Sequence, residues 1–273
     1  MAVRRLLIPV ALSAFAAVLT TGPAQAATHG PHLKPQHPTK PTTSSQLIDH
    51  GGKLLPSSKT YAIWWGSSGF PTDEQTAIPK LLQGFGGSSY LATANQYMRG
   101  STATSTYVHA YADTSAPPSH GPSVNTIVNE VASVLTANTL TPDPNAIYFV
   151  YTSNFPKVNY CAWHSAGSIG GVTVQVAYVP NTTGVTGCAP RGGYTAPNGL
   201  TQGTQSIADS TAHEFMEAVT DPVPVSGWVD KNGAEVADKC QTFYGGLVKL
   251  NRIQWELQGE WSNAAAGCVQ TTP

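Results

Sequence analysis

Residues 146–152 read Ala-Ile-Tyr-Phe-Val-Tyr-Thr, a run without charge in which six of the seven positions are apolar or aromatic. So continuous a run of β-favouring side chains predicts a strand covered on both faces. Just before it, residues 123–138 place Val124, Ile127, Val128, Val131, Val134 and Leu135 at helical spacing. A helix leading into a doubly buried strand is the unit of layered α/β folds.

Working outward, Lys59 to Gly66 (KTYAIWWG) reads as a strand stopped by glycine, and residues 106–113 alternate as a strand does. Between them, Thr72-Asp73-Glu74-Gln75 predicts a helix start, with a capping hydroxyl and acids in the first turn, running towards Phe85. Residues 172–179 form another strand, and residues 205–221 a helix stopped by Pro222. The last fifty residues read as short strands and turns, with a hairpin around Asp230-Lys231-Asn232-Gly233. The glycines of Ser168-Ile169-Gly170-Gly171 and Gly192-Gly193 read as loop. The expected fold is α/β to α+β: a layered mixed β-sheet with flanking helices, in a single domain with a C-terminal strand-and-turn elaboration.

The chain has 273 residues, 41% hydrophobic but only 11% charged, against roughly 25% charged in ordinary soluble domains. Lys and Arg number 14 against 15 acids, for a net charge of −1, which excludes binding to nucleic acid as a polyanion. Arg4 and Arg5, the apolar stretch 6–21 and Ala24-Gln25-Ala26 together resemble a secretory signal peptide over residues 1–26. Its removal leaves 12 basic against 15 acidic side chains, a net charge of −3. No later stretch approaches the ~20 apolar residues of a membrane span. A secreted product is therefore expected, released or associated with a cell wall. Residues 27–45, with Pro31, Pro35, Pro38 and Pro41 among Thr, Ser and His, read as a disordered linker, and 46–273 as one globular domain.

In an oxidising compartment the four cysteines, Cys161, Cys188, Cys240 and Cys268, are expected to pair. Four cysteines allow three pairings, and their spacing lacks the paired knuckles of a zinc ribbon. The simplest is sequential, Cys161–Cys188 and Cys240–Cys268, worth ~3–4 kcal/mol each in loop entropy.

Charge is scarce, yet seven of the fifteen acids fall between Asp209 and Asp238: Asp209, Glu214, Glu217, Asp221, Asp230, Glu235 and Asp238. The plain reading is a solvated helix edge followed by a turn. The sharper one starts from His213-Glu214-Phe215-Met216-Glu217. His213 and Glu217 stand four apart, hence on one helical face, the arrangement of the HExxH zinc helix with glutamate in place of the second histidine. Both side chains can ligate zinc, and Glu214 beside them is the candidate general base. Ile207, Phe215, Met216 and Val219 then form the core-facing side. The third ligand is expected to be Asp238, brought back by the turn near Cys240, with His164 as the alternative. Asp221 lies roughly 12 Å along a straight helix from His213, so it fits the turn at Pro222 better than a shared ion. Asp230 is a turn residue. Tyr61, Trp64, Trp65, Tyr107 and Tyr111 offer a carbohydrate-stacking surface, but at strand spacing such aromatics are more often core.

Several stretches resemble the exordium-like, or phosphate-induced, protein family. His50-Gly51-Gly52-Lys53-Leu54-Leu55 followed by Ile63-Trp64-Trp65-Gly66 is similar to its opening, and Cys161-Ala162-Trp163-His164 to its central segment. The block from His213-Glu214-Phe215-Met216-Glu217 through Thr220-Asp221-Pro222 and Gly227-Trp228-Val229-Asp230 to Asp238-Lys239-Cys240 resembles a microbial secreted branch, as does Trp261-Ser262-Asn263. The resemblance implies an extracellular protein without an assigned catalytic activity. Two functions follow as expectations: a secreted zinc-dependent hydrolase, peptidase-like, using the HExxE helix, or a non-enzymatic extracellular or cell-wall protein with a structural metal site. The corresponding partners are an extracellular peptide or cell-wall carbohydrate.

Overall fold

A computed structural model describes the backbone of residues 32–33 and residues 45–190 and 199–272. The signal segment 1–26, most of the 27–45 linker, and Gly192-Gly193 lie outside the described residues. In chain order the strands are β1 (His32–Leu33), β2 (Ile48–Asp49), β3 (Ser57–Trp65), β4 (Thr104–Asp113), β5 (Ala146–Thr152), β6 (Tyr160–Ile169) and β7 (Val172–Pro180). Short strands follow: β8 (Trp228–Val229), β9 (Val248–Leu250), β10 (Ile253–Trp255), β11 (Glu260–Ser262) and β12 (Gly267–Val269). The helices are α1 (Glu74–Phe85), α2 (Val124–Ala137) and α3 (Gln202–Thr220).

The main sheet runs β1-β6-β7-β5-β3-β4. Strands β4, β3, β5 and β7 are parallel, and β6 and β1 join antiparallel, so the sheet is mixed as expected. Strand β5 is central and buried at all seven positions. Its Ile147, Phe149 and Tyr151 point to the α1 and α3 side, while Ala146, Tyr148 and Val150 meet Ile127, Val131 and Leu135 of α2 on the other. That two-sided burial is the physical reason its sequence lacks alternation.

Helix α2 starts as read, with the Ser123 hydroxyl accepting from Thr126 N. The start of α1 differs. Asp73, not a hydroxyl residue, occupies its cap position and makes no side-chain cap bond. Its carboxylate instead accepts from Thr201 N and Oγ1 at 2.7 Å and Thr204 Oγ1 at 2.6 Å, tying α1 to the beginning of α3. The hairpin expected around Asp230 is also corrected. Asp230 does shape a turn, accepting from Asn232 N and Ala234 N, but β8 before it pairs with β2. Strand β6 is an element the sequence does not mark, and the Gly170-Gly171 loop is the two-residue turn of a β6–β7 hairpin, both glycines at positive φ. Paired positive φ values are what a type I′ turn demands. Finally, backbone pairing of β1 with β6 (His32↔Ala162, Leu33↔Tyr160) departs from a linker without structure throughout. Edge pairing needs only main-chain groups, so composition does not forbid it.

Glu74 opens α1 with 1% exposure, and its Oε2 has no hydrogen-bond partner. Burial, aided by the charge of Asp73, pushes its carboxyl up to about 8, whereas an unfolded glutamate titrates near ~4.3. A carboxyl raised in the folded state favours folding while it holds its proton. That contribution is complete below about 4.3 and is lost as pH rises towards the folded value. Glu74→Gln is therefore expected to stabilise the protein by ~1–3 kcal/mol at about pH 9 and little at about pH 4. Urea midpoints at the two pH values test this, and an equal effect at both would refute it.

Candidate metal centre

Helix α3 carries the site, and its burial is unusual for its composition. Every residue from Gly203 to Thr220 is buried. Ile207, Phe215, Met216 and Val219 enter the apolar core, as read. The polar side is covered by the C-terminal segment, which supplies main-chain donors to its acids. Gln258 N donates to Asp209 Oδ1 at 2.7 Å, and Asp238 N donates to Glu217 Oε1 at 3.1 Å. Ionisable groups are rarely buried unless paired, so this covering is a condition of the helix standing there at all.

The chain reaches that arrangement through two aspartates. Helix α3 ends before Asp221-Pro222, and the Asp221 carboxylate accepts from Val225 N at 2.6 Å, Ser226 N at 3.0 Å and Gly227 N at 2.6 Å. A Cβ at Gly227 would sit 2.4 Å from Thr220 O, so only glycine lets the returning strand pass so close. Asp230 then bends the chain again and is held by Lys239 Nζ at 3.1 Å and Ser45 Oγ at 2.8 Å. Glu235 and Asp238 are thereby returned to α3. Asp221 is the turn residue the sequence implied, and only its carbonyl oxygen faces the site.

His213, Glu217 and Asp238 come together as read. His213 Nε2 lies 3.1 Å from Glu217 Oε1 and 3.7 Å from Asp238 Oδ1. The opposite ring nitrogen, Nδ1, is 3.1 Å from Gln258 Oε1. Gln258 spends its Nε2 on Ala237 O at 2.8 Å and Gly259 O at 3.3 Å, so its oxygen must be the atom facing the ring. His213 Nδ1–H therefore donates to Gln258, which leaves Nε2 facing two carboxylates. A proton or a cation belongs between them. Histidine ligands of metals are usually oriented by just such an outer acceptor.

His164 belongs to the same cluster. Strand β6 carries it next to α3, where Nδ1 lies 3.3 Å from Glu214 Oε2 and 3.5 Å from Glu217 Oε2. Its Nε2 lies 3.2 Å from Asp221 O and 3.5 Å from Glu235 Oε1. Glu214, 1% exposed, thus faces His164, and its Oε1 is buried without a partner.

Burial opposes charge on both imidazoles but is outweighed. Glu235, Glu214 and Glu217 hold His164, and Glu217, Glu214 and Asp238 hold His213, well above the ordinary histidine range. Burial also acts on Glu217, yet the two histidines keep its carboxyl below the usual range. Glu214 is raised by burial against the bond from His164. Desolvation and the charge of Glu217 push Glu235 well up and Asp238 up to about 7. The cluster holds more carboxylate than its two imidazoles can neutralise.

Two ligand sets emerge, sharing Glu217: His213, Glu217, Asp238 and His164, Glu217, Glu235, each with its ligand atoms within 4.8 Å of one another. Imidazole nitrogen with carboxylate oxygen suits zinc, manganese or iron. Glu235, Gln258 and Asp209 were not assigned to the site from sequence. Glu235 stood within the acid cluster, but nothing local marks Gln258 as the group that orients His213. Behind them, Asp209 accepts from Tyr244 OH and Glu260 from Tyr90 OH, each at 2.6 Å.

Cys161–Cys188 and Cys240–Cys268 form as read, one fixing the strand that carries His164 and the other lying two residues beyond Asp238. No helix among the described residues is long and apolar enough to cross a membrane. Fold and site define a mixed α/β protein with a buried histidine–carboxylate centre. Comparison with protein-family models gave no match, and neither did comparison with curated proteins.

Proposed function

We propose that this chain is a secreted protein built around a divalent metal centre, with zinc the expected ion at His213, Glu217 and Asp238. The observation that carries the reading is the setting of the two ring nitrogens of His213. Gln258 Oε1 accepts the hydrogen bond of Nδ1–H and leaves Nε2 directed at two carboxylates. Glu217 comes from α3 and Asp238 from the C-terminal segment, so a shared ion joins the helix to the segment that covers it. This favours a structural centre in a non-enzymatic extracellular or cell-wall-associated protein, in line with the exordium-like resemblance, and with two disulfides suited to an oxidising compartment.

One observation favours a second, hydrolytic reading. The Asp238 side chain is 24% exposed, so one edge of the centre reaches the surface, and Glu214 Oε1 in the same cluster makes no hydrogen bond. When bound there, zinc would supply Lewis-acid polarisation and a lowered pKa for water. Glu214 would accept the proton as general base, His164 would hold its carboxylate in place, and an extracellular peptide or cell-wall carbohydrate would be the substrate.

Chelation separates the metal reading from its absence. Removing the ion is expected to lower the melting temperature, and free zinc at a hundredfold excess over Kd to restore about 2.7 kcal/mol. A melt indifferent to chelator and zinc would overturn it. Glu214→Gln should keep the ion, and a loss of ~100-fold in peptide or glycan hydrolysis would establish the enzymatic use. An absence of hydrolysis in a metal-loaded protein leaves the structural use.

A further inference from the structure

The centre has more ligands than one ion employs. Glu217 turns Oε1 to His213 Nε2 at 3.1 Å and Oε2 to His164 Nδ1 at 3.5 Å, and one ligand atom each of His164, Glu217 and Glu235 lie within 4.8 Å of one another. Beyond His164, Glu235 Oε1 lies 3.5 Å from Nε2, is buried, and makes no hydrogen bond. Glu235 is 1% exposed, and its main-chain N–H, not its carboxylate, is what meets Asp238. A buried carboxylate oxygen without a hydrogen bond, directed at a histidine that already faces Glu214 and Glu217, calls for a cation.

We propose that the centre binds two divalent ions bridged by the Glu217 carboxylate, the second held by His164 and Glu235. The inference rests on the metal reading above and extends it, since His213 and Asp238 keep the first ion. Charge supports it. With both imidazoles bound as neutral ligands, the ionised Glu214, Glu217, Glu235 and Asp238 carry four negative charges, which two divalent ions balance and one does not. Lys239 does not supply the difference, because its Nζ is engaged by Asp230 at 3.1 Å. Two imidazolium rings without any second ion are the competing way to neutralise the same carboxylates, and they predict a different stoichiometry. The mixed nitrogen and oxygen donors suit zinc or manganese.

The test is metal content of the purified full-length mature protein after equilibration with zinc, and separately with manganese, followed by gel filtration. Two ions per chain are expected. In the manganese form, electron paramagnetic resonance should show the exchange-coupled spectrum of a carboxylate-bridged pair. Glu235→Gln should reduce the content from two ions to one and abolish the coupling. One ion per chain in the unaltered protein, with an uncoupled manganese spectrum, would overturn the second site and leave the first standing. No ion at all would overturn both. Should Glu235→Gln fail to fold, the stoichiometry and coupling of the unaltered protein still decide the matter.

Discussion

Glu217→Ala is expected to release all bound metal and to cost ~3–5 kcal/mol of stability, the scale for removing one partner from a buried ionic cluster. Glu217 is 2% exposed and faces both His213 and His164, at 3.1 and 3.5 Å. It also accepts the main-chain N–H of Asp238, so its loss leaves a buried donor and two imidazoles short of their partner. In a domain of this size the change should lower the melting temperature by about 6–20 °C. Glu217→Gln keeps one acceptor oxygen and should lose metal while costing less. Urea denaturation with metal content of the same samples checks both. A Glu217→Ala protein that melts and binds metal like the original would remove Glu217 from the centre.

Replacing Cys240 and Cys268 together by serine is expected to cost ~2–5 kcal/mol, because the bond closes a loop of 28 residues in the unfolded chain. Position makes a second effect expected. Cys240 ends the 3₁₀ turn Asp238–Cys240, whose first residue is a proposed ligand and whose amide holds Glu217. Opening the disulfide should therefore weaken zinc binding by about tenfold or more, the scale on which outer-shell support acts. Serine at Cys161 and Cys188 should cost comparable stability, and that bond is anchored three residues before His164 on β6. Calorimetric titration of zinc into the two double variants measures the difference. Unchanged affinity in the Cys240 and Cys268 variant would show that Asp238 is held without the bond.

Much of this was legible wherever a side-chain pattern reports on its own element. The α2 periodicity, the uniform β5 run, and the end of α3 before Asp221-Pro222 are local facts, and the protein keeps them. His213 and Glu217 were legible for the same reason, since four residues of helix bring them to one face. Strand β6 was not, because its residues from Cys161 to Ser165 are buried on both faces and mix small, polar and aromatic side chains. Alternation reports a strand only when one face meets water. His164 consequently stood as a substitute ligand, when it lies inside the cluster beside Glu214, Glu217 and Glu235.

The amino-acid sequence by itself determined the layered class and the helical histidine–glutamate pair, both consequences of spacing along one segment, and made the sequential cysteine pairing only the simplest of three. Tertiary structure alone decided what surrounds that pair. Gln258 meets His213 across 45 positions, and Glu214 meets His164 across 50. No periodicity connects residues so far apart. They meet because the sheet places β6 beside α3, and because the C-terminal segment must supply hydrogen bonds to an acidic helix face before that face can be buried.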